Sequence, residues 1–382
     1  MEYKDLVAAV EAKQTWLRKR LRQLVEVESP SDNKASVDRA VSLVAGWCEE
    51  LGGRVKRHTR KDIGDLLEVR LGPVKTRKQK PVMLLGHLDT VWELGTLKKM
   101  PWHEKDGRLW GPGVLDMKAG VVMALTAVAA LQELKALQVP VILLLVSDEE
   151  VGSRASRALT EKLARECAAV FVLEPAQGPA GAYKTARKGV GQYTLRVRGV
   201  AAHSGVDFGR GHSAVLELAR LLQKVEKFTD PKRGITVNPG VIGGGTRSNV
   251  VAAEAWAEVD VRIVKKADAA RVEKMFRGLR CVDKQCTLEI SGGVDRPPME
   301  RGPGTVALFK RAKKIAAEMG FALEEAATGG GSDGNFTAAI GIPTLDGMGA
   351  VGEGAHAAHE SVVAGSLVER TALLAGMITS QG

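Results

Sequence analysis

Cysteine is scarce: four in 382 residues. Cys48, Cys167, Cys281 and Cys286 contain no CxxC pair, which excludes the usual thiolate-built zinc or redox motif and reads them as buried or incidental thiols. Aromatic residues reach only 4%, too few for the stacking platforms of a single-strand nucleic-acid binder. Long apolar runs are missing too. The longest, Gly120 to Leu134, is short and alanine-rich, which argues against a bilayer span and a membrane partner. The first fourteen residues mix acids and lysines with apolar positions, so they lack the apolar core of a signal peptide, and a cytoplasmic location is expected. Repeats and low-complexity tracts are also missing.

Lys+Arg number 55 against 45 Asp+Glu, a formal charge of +10. The basic residues are spread along the chain and form no arm or single helix, so the charge speaks of anions generally and not of nucleic acid. Hydrophobic residues at 45% and charged residues at 26% are those of an ordinary globular protein, and the length exceeds what one core usually supports. Amphipathic patterns predict helices over about Leu6 to Val27 and Val37 to Leu51. Apolar runs at Val82 to Leu85, Val141 to Val146 and Val170 to Leu173 then alternate with helical stretches near Met117 to Leu137 and Ser156 to Glu166. Such alternation predicts an α/β domain with a mostly parallel sheet covered by helices.

Beyond Pro175 the texture changes to longer, alternating strands (Gly191 to Arg198, Val250 to Val264) and helical patterns near Ser213 to Phe228 and Ala267 to Leu279, an α+β insert. The helix-then-strand rhythm returns at Val306 to Met319 and Pro343 to Leu345, and a last helix is expected over Ser361 to Thr379. The expected organisation is a discontinuous domain, residues 1–183 and 298–382, interrupted by a second at 184–297. Gly243 to Gly245 and Gly329 to Gly331 read as loops.

Candidate chemistry gathers where the apolar runs end. His87 and Asp89 follow the first run, and a separation of two points both side chains the same way. One could bind a metal while the other fixes its tautomer. Asp116 precedes a long helix and would pass for an N-cap if it stood alone. Asp148, Glu149 and Glu150 follow the second run, where adjacent acids repel one another and want a cation. Glu174 ends the third. In an open α/β sheet the carboxyl ends of the strands are where ligands bind. Imidazole with carboxylates and no sulfur suits zinc, manganese or cobalt in a reactive site. His58, His103 and His212 lie in no motif and read as surface or packing residues.

Gly86-His87-Leu88-Asp89-Thr90-Val91, Gly113-Val114-Leu115-Asp116-Met117-Lys118-Ala119-Gly120, Ser147-Asp148-Glu149-Glu150-Val151-Gly152-Ser153 and Leu173-Glu174-Pro175 together resemble the M20 metallopeptidase family, and within it the glutamate carboxypeptidases. The resemblance continues through Gly199 to Gly205, Ser248 to Val251, Asp260-Val261-Arg262, Gly329 to Asp333 and Gly354 to Glu360, nearly end to end. It implies a zinc-peptidase-like catalytic domain with an inserted lid or dimerisation domain. It implies two Zn²⁺ per chain, with Co²⁺ or Mn²⁺ as substitutes: Asp116 bridging, His87 and Glu174 completing one site, Glu150 and His356 the other. Glu149 would be the general base, Asp89 the support of His87, and His359 a bystander.

In the insert, His203, Asn249 and Arg262 match positions that contact substrate, and Gly331 matches a backbone contact to its carboxylate. A homodimer through the insert is implied, His203 serving the other subunit. Arg296-Pro297 lies where the glutamate carboxypeptidases carry an Arg-Pro, so Arg296, helped by Lys184 and Arg187, is expected to meet a glutamate side chain while Arg262 holds the α-carboxylate. The expected activity is release of an amino acid, glutamate first, from a peptide or N-acyl amino acid. The alternatives within the family are a deacylase or a dipeptidase. A non-catalytic relative would lack a ligand or the base, and none is missing.

Overall fold

The computed structural model describes residues 2–74 and 79–381. The chain forms two compact units: residues 1–186, 301–328 and 332–382 make the first, and residues 187–300 with 329–331 make the second.

The first unit is built on a six-stranded sheet in the order Arg54–His58, Leu66–Leu71, Val141–Val146, Val82–His87, Ala169–Val172, Thr344–Leu345. The last four strands run parallel, while the first two add an antiparallel edge. The sheet is thus mostly parallel, as expected, with Leu66–Leu71 the one strand that runs against the others. Arg54–His58 is mostly exposed and carries basic residues, so no apolar run announces it. In the central strand, Val82 and Leu84 enter the larger core cluster whereas Met83 and Leu85 enter a smaller one with Leu163 and Cys167. Successive side chains point to opposite faces, and because both faces are covered the strand reads as a continuous apolar run.

Helix Ala119–Glu133 is buried nearly all round and packs against Ser366–Thr379, Tyr3–Glu11 and Gln14–Val25. Its alanines let these helices approach closely. The opening segment is two helices where one was expected, broken at Ala12 and Lys13. The window Val114–Glu133 has a mean hydropathy of 1.8 but is 89% buried, and helical geometry is interrupted at Asp116 and Met117. It is a core element. The last helix begins at Ser366, not Ser361. Ser361–Val363 instead pairs with Arg108–Trp110 in a small sheet ordered Gly352–Glu353, Ser361–Val363, Arg108–Trp110, His103–Lys105, and its two β-branched valines suit that role.

The second unit is a four-stranded antiparallel sheet, Thr236–Gly244, Glu254–Ile263, Gly189–Arg198, Thr287–Arg296. Strict alternation along Glu254–Ile263 and Gly189–Arg198 sends Tyr193, Leu195, Val197, Ala257, Val259 and Val261 into one cluster with helices Ala214–Glu226 and Ala267–Arg277. Gly243 and Gly244, expected in a loop, end the first of these strands and pair with Trp256 and Ala255. An edge strand tolerates the Pro239 and glycines that hid it from the sequence pattern.

Candidate metal centre

The three buried parallel strands Val141–Val146, Val82–His87 and Ala169–Val172 are neighbours, so their carboxyl ends emerge side by side. His87 closes the middle strand, Glu149 and Glu150 follow the first, and Glu174 follows the third. Asp116 arrives from the turn Val114–Lys118 that precedes helix Ala119–Glu133. That helix can begin there because residue 120 is glycine: a Cβ would lie 2.0 Å from the Leu173 carbonyl oxygen, beside Glu174. His356 is carried by the connection between Gly352–Glu353 and Ser361–Val363, with φ +63, a left-handed conformation uncommon outside glycine.

These elements bring five predicted ligands together. His87 Nε2 lies 3.3 Å from Asp116 Oδ1 and 3.6 Å from Glu174 Oε1. His356 Nε2 lies 3.4 Å from Asp116 Oδ2 and 3.3 Å from Glu150 Oε2. The two oxygens of Asp116 thus face one histidine each. By mutual distance alone, the tightest groupings are His87, Asp116, Glu150 and His87, Glu149, Glu174; His356 joins through its two carboxylate contacts. The adjacent glutamates fall into different groups. Asp148 turns away, its Oδ2 accepting the N–H groups of Ala155 and Ser156.

Asp89 does more than steady the ring. The nearest partner of His87 Nδ1 is the Asp89 backbone carbonyl at 2.9 Å, with the carboxylate at 3.5 Å. A carbonyl only accepts, so Nδ1 carries a hydrogen, and Nε2, facing Asp116 and Glu174, is the nitrogen that could give up its proton and take a metal. The Asp89 carboxylate takes the N–H groups of Glu149 and Glu150 at 3.3 and 3.2 Å and the Ser31 hydroxyl at 2.8 Å. Ser31 gave no signal in the sequence beyond a turn.

The charge balance asks for cations. Burial opposes protonation of His87, yet hydrogen bonds to Asp116, Asp89 and Glu174 outweigh it and hold its pKa well above the ordinary value. Hydrogen bonding to Asp116 and Glu150 raises His356 to about 10. Burial pushes the Glu150 carboxyl up, and its Oε1 is buried without a hydrogen-bond partner. Carboxylates that draw protons onto two imidazoles, with an acceptor oxygen left over, fit divalent ions bound by nitrogen and oxygen donors.

The second-unit residues stand in another setting. His203 is exposed and its Nδ1 accepts the N–H groups of Gly205 and Val206. Asn249 is exposed, its carbonyl taking the Ser204 N–H. Arg262 pairs with Asp260 through two 2.9 Å hydrogen bonds. Arg296 is buried, and a Cβ on Gly331 would meet its Cδ at 2.7 Å, so the glycine lets the chain lie against the arginine. Arg187 Nη1 donates to the carbonyls of Gly330 and Gly331, holding that turn. In the first unit, Lys184 pairs with Asp346 through the backbone and is buried. His58 and His212 are engaged by Glu68 and Asp283, and exposed His103 stacks on Trp110.

Residues 83–380 match peptidase family M20/M25/M40. The sequence is 26% identical to carboxypeptidase G2 of Pseudomonas sp. (strain RS-16) over 368 residues, covering 94% of this chain and 88% of that protein. The fold is shared with aminopeptidase PepT from Bacillus cereus, at a TM-score of 0.79 and 23% identity over 96% of this chain and 98% of that one. It is shared also with Bacillus subtilis YXEP, a dinuclear metal binding peptidase from the M20 family, at 0.70 and 16% identity over 97% and 98%.

Proposed function

The chain belongs to peptidase family M20/M25/M40, and from that premise we propose that it is a dinuclear, zinc-dependent carboxypeptidase releasing an amino acid, glutamate first, from a peptide or N-acyl amino acid. The observation that carries this reading is the Asp116 carboxylate, which offers one oxygen toward His87 and the other toward His356. His87, Glu174 and Asp116 would hold one ion, and Glu150, His356 and Asp116 the other. Bound there, such a pair would make water nucleophilic at neutral pH and polarise the scissile carbonyl.

The remaining work falls to the side chains. Glu149 takes the proton of the attacking water and delivers it to the leaving amine nitrogen. Asp89 fixes the His87 tautomer and, through the Glu149 and Glu150 N–H groups, the position of the base itself. In a homodimer built through the insert, His203 would donate to the oxyanion in the neighbouring subunit's site, with Asn249 beside the substrate. Arg262 would take the α-carboxylate, a pairing suited to its planar fork, in exchange for Asp260. The buried Arg296 would meet the glutamate side chain, with Lys184 and Arg187 supporting it and Gly331 giving the backbone room. Four free thiols, three of them buried, suit the reducing cytoplasm.

The test compares kcat/KM for one acyl group joined to glutamate, glutamine, leucine and alanine. The glutamate side-chain carboxylate would gain a charge-assisted pairing with Arg296 that glutamine, leucine and alanine cannot make, so glutamate should lead and Arg296→Ala should erase the lead. Leucine or alanine equal to glutamate would make the enzyme a broader deacylase or dipeptidase.

A further inference from the structure

One buried carboxylate outside the candidate ligand set touches the turn that delivers the bridging residue. Glu360 is 1% exposed and stands immediately before strand Ser361–Val363, four residues after His356. Its Oε1 accepts the N–H groups of Leu115 and Asp116 at 2.8 and 3.0 Å. Its Oε2 accepts the Gly113 N–H at 2.8 Å and the Trp92 indole N–H at 2.7 Å. Three of these four donors belong to the turn that carries Asp116, and the fourth to the loop leaving Asp89.

We propose that Glu360 is a positioning residue for the metal pair: it fixes the Asp116 turn against the hairpin that carries His356, so that the two Asp116 oxygens stay aimed at His87 and His356. The inference rests on the two-metal reading. An ionised carboxylate only accepts, and four inward-pointing donors suit no other side-chain group as well. Glutamine keeps the size and one acceptor, but its NH₂ would face two of the donors. The Asp116 turn would then shift, and because Asp116 serves both ions, both binding events would weaken together. Loss of His356 itself should weaken one ion more than the other.

The experiment titrates metal-free parent, Glu360→Gln and Trp92→Phe with Zn²⁺ against a competing chelator, records the visible spectrum of each Co²⁺-loaded protein, and follows thermal unfolding of the metal-free forms. Glu360→Gln should lose about 10–100-fold in affinity for both ions, the usual effect of removing an outer partner of a ligand, and its Co²⁺ spectrum should change. Trp92→Phe removes one donor of four and should shift both affinities by a smaller factor. A folded Glu360→Gln protein with parental affinities and spectrum, whatever its melting temperature, overturns the inference. If Glu360→Gln does not fold, Trp92→Phe decides, and parental values in that variant overturn it. A parent that binds no divalent ion overturns the metal reading and this inference with it.

Discussion

His203 and Asn249 of the second unit are placed in the opposite way to the buried candidate ligands of the first. In the first, His87, Asp116, Glu150 and Glu174 sit buried or half-buried on strand ends and turns, each in an imidazole–carboxylate contact. In the second, His203 and Asn249 are exposed on a regular alternating sheet domain whose interior is apolar. Buried charge is costly unless it is paired, so the first unit must complete its own cluster, and a cation would complete it. Exposed polar groups on a stable sheet carry no such debt. Their use depends on what is brought to them, a substrate or a second subunit.

That contrast can be broken by mutation, and the largest effect belongs to the first unit. Glu149→Ala should lower kcat by roughly 10²–10⁴-fold, the usual range for a general acid and base, with metal content by elemental analysis unchanged. Glu150→Ala should lose metal. Equal metal loss in both would put Glu149 among the ligands, as its distances to His87 and Glu174 also allow.

Next comes the reach of the second unit. His203→Ala and Glu149→Ala proteins, each inactive, should regain activity when mixed, because one hybrid site carries both intact groups. No regain despite subunit exchange, followed by mass spectrometry of differently labelled chains, would confine His203 to its own subunit.

A smaller effect probes packing. Gly120→Ala places a methyl against the Leu173 carbonyl and should cost about 1–3 kcal/mol, the range for overpacking, in denaturant unfolding, while also lowering zinc affinity. Unchanged stability and affinity would show that the helix start is free to move.

The smallest prediction sharpens the second unit alone. Burial opposes ionisation of Glu217, but N–H groups of Val282 and Asp283 and the Arg220 guanidinium outweigh it and hold its pKa below the ordinary glutamate value. A depressed carboxyl stabilises the fold above its unfolded pKa and stops doing so as pH falls through the folded value. Hydrogen-exchange protection of the insert should therefore decline below about pH 4.5. Glu217→Gln should cost about 1–3 kcal/mol at neutral pH and flatten that decline. An equally steep decline in the variant would assign it to other carboxylates.

The sequence revealed whatever a buried strand makes visible. Val82 to Leu85, Val141 to Val146 and Val170 to Leu173 are apolar because both faces of the sheet are covered, and the candidate ligands that follow them were legible for that reason. Arg54–His58 and Thr236–Gly244 lie at sheet edges, where charge, proline and glycine are tolerated, and their patterns gave no warning. Nothing local announced that Ser361–Val363 would pair with Arg108–Trp110 and so carry His356 to Asp116. That meeting is a tertiary fact, reached in the sequence only through resemblance. Ser31 and Glu360 escaped for a related reason, since each acts on backbone or carboxylate groups far away in the chain.

The most direct test counts ions. Metal-free protein titrated with Zn²⁺ by equilibrium dialysis, with amino-acid release assayed at each point, should bind two ions per chain and gain activity as they bind, and Asp116→Asn should weaken both events together. Full activity in protein that elemental analysis shows to be free of divalent metal, or two ions bound unchanged by Asp116→Asn, would contradict a centre bridged by Asp116.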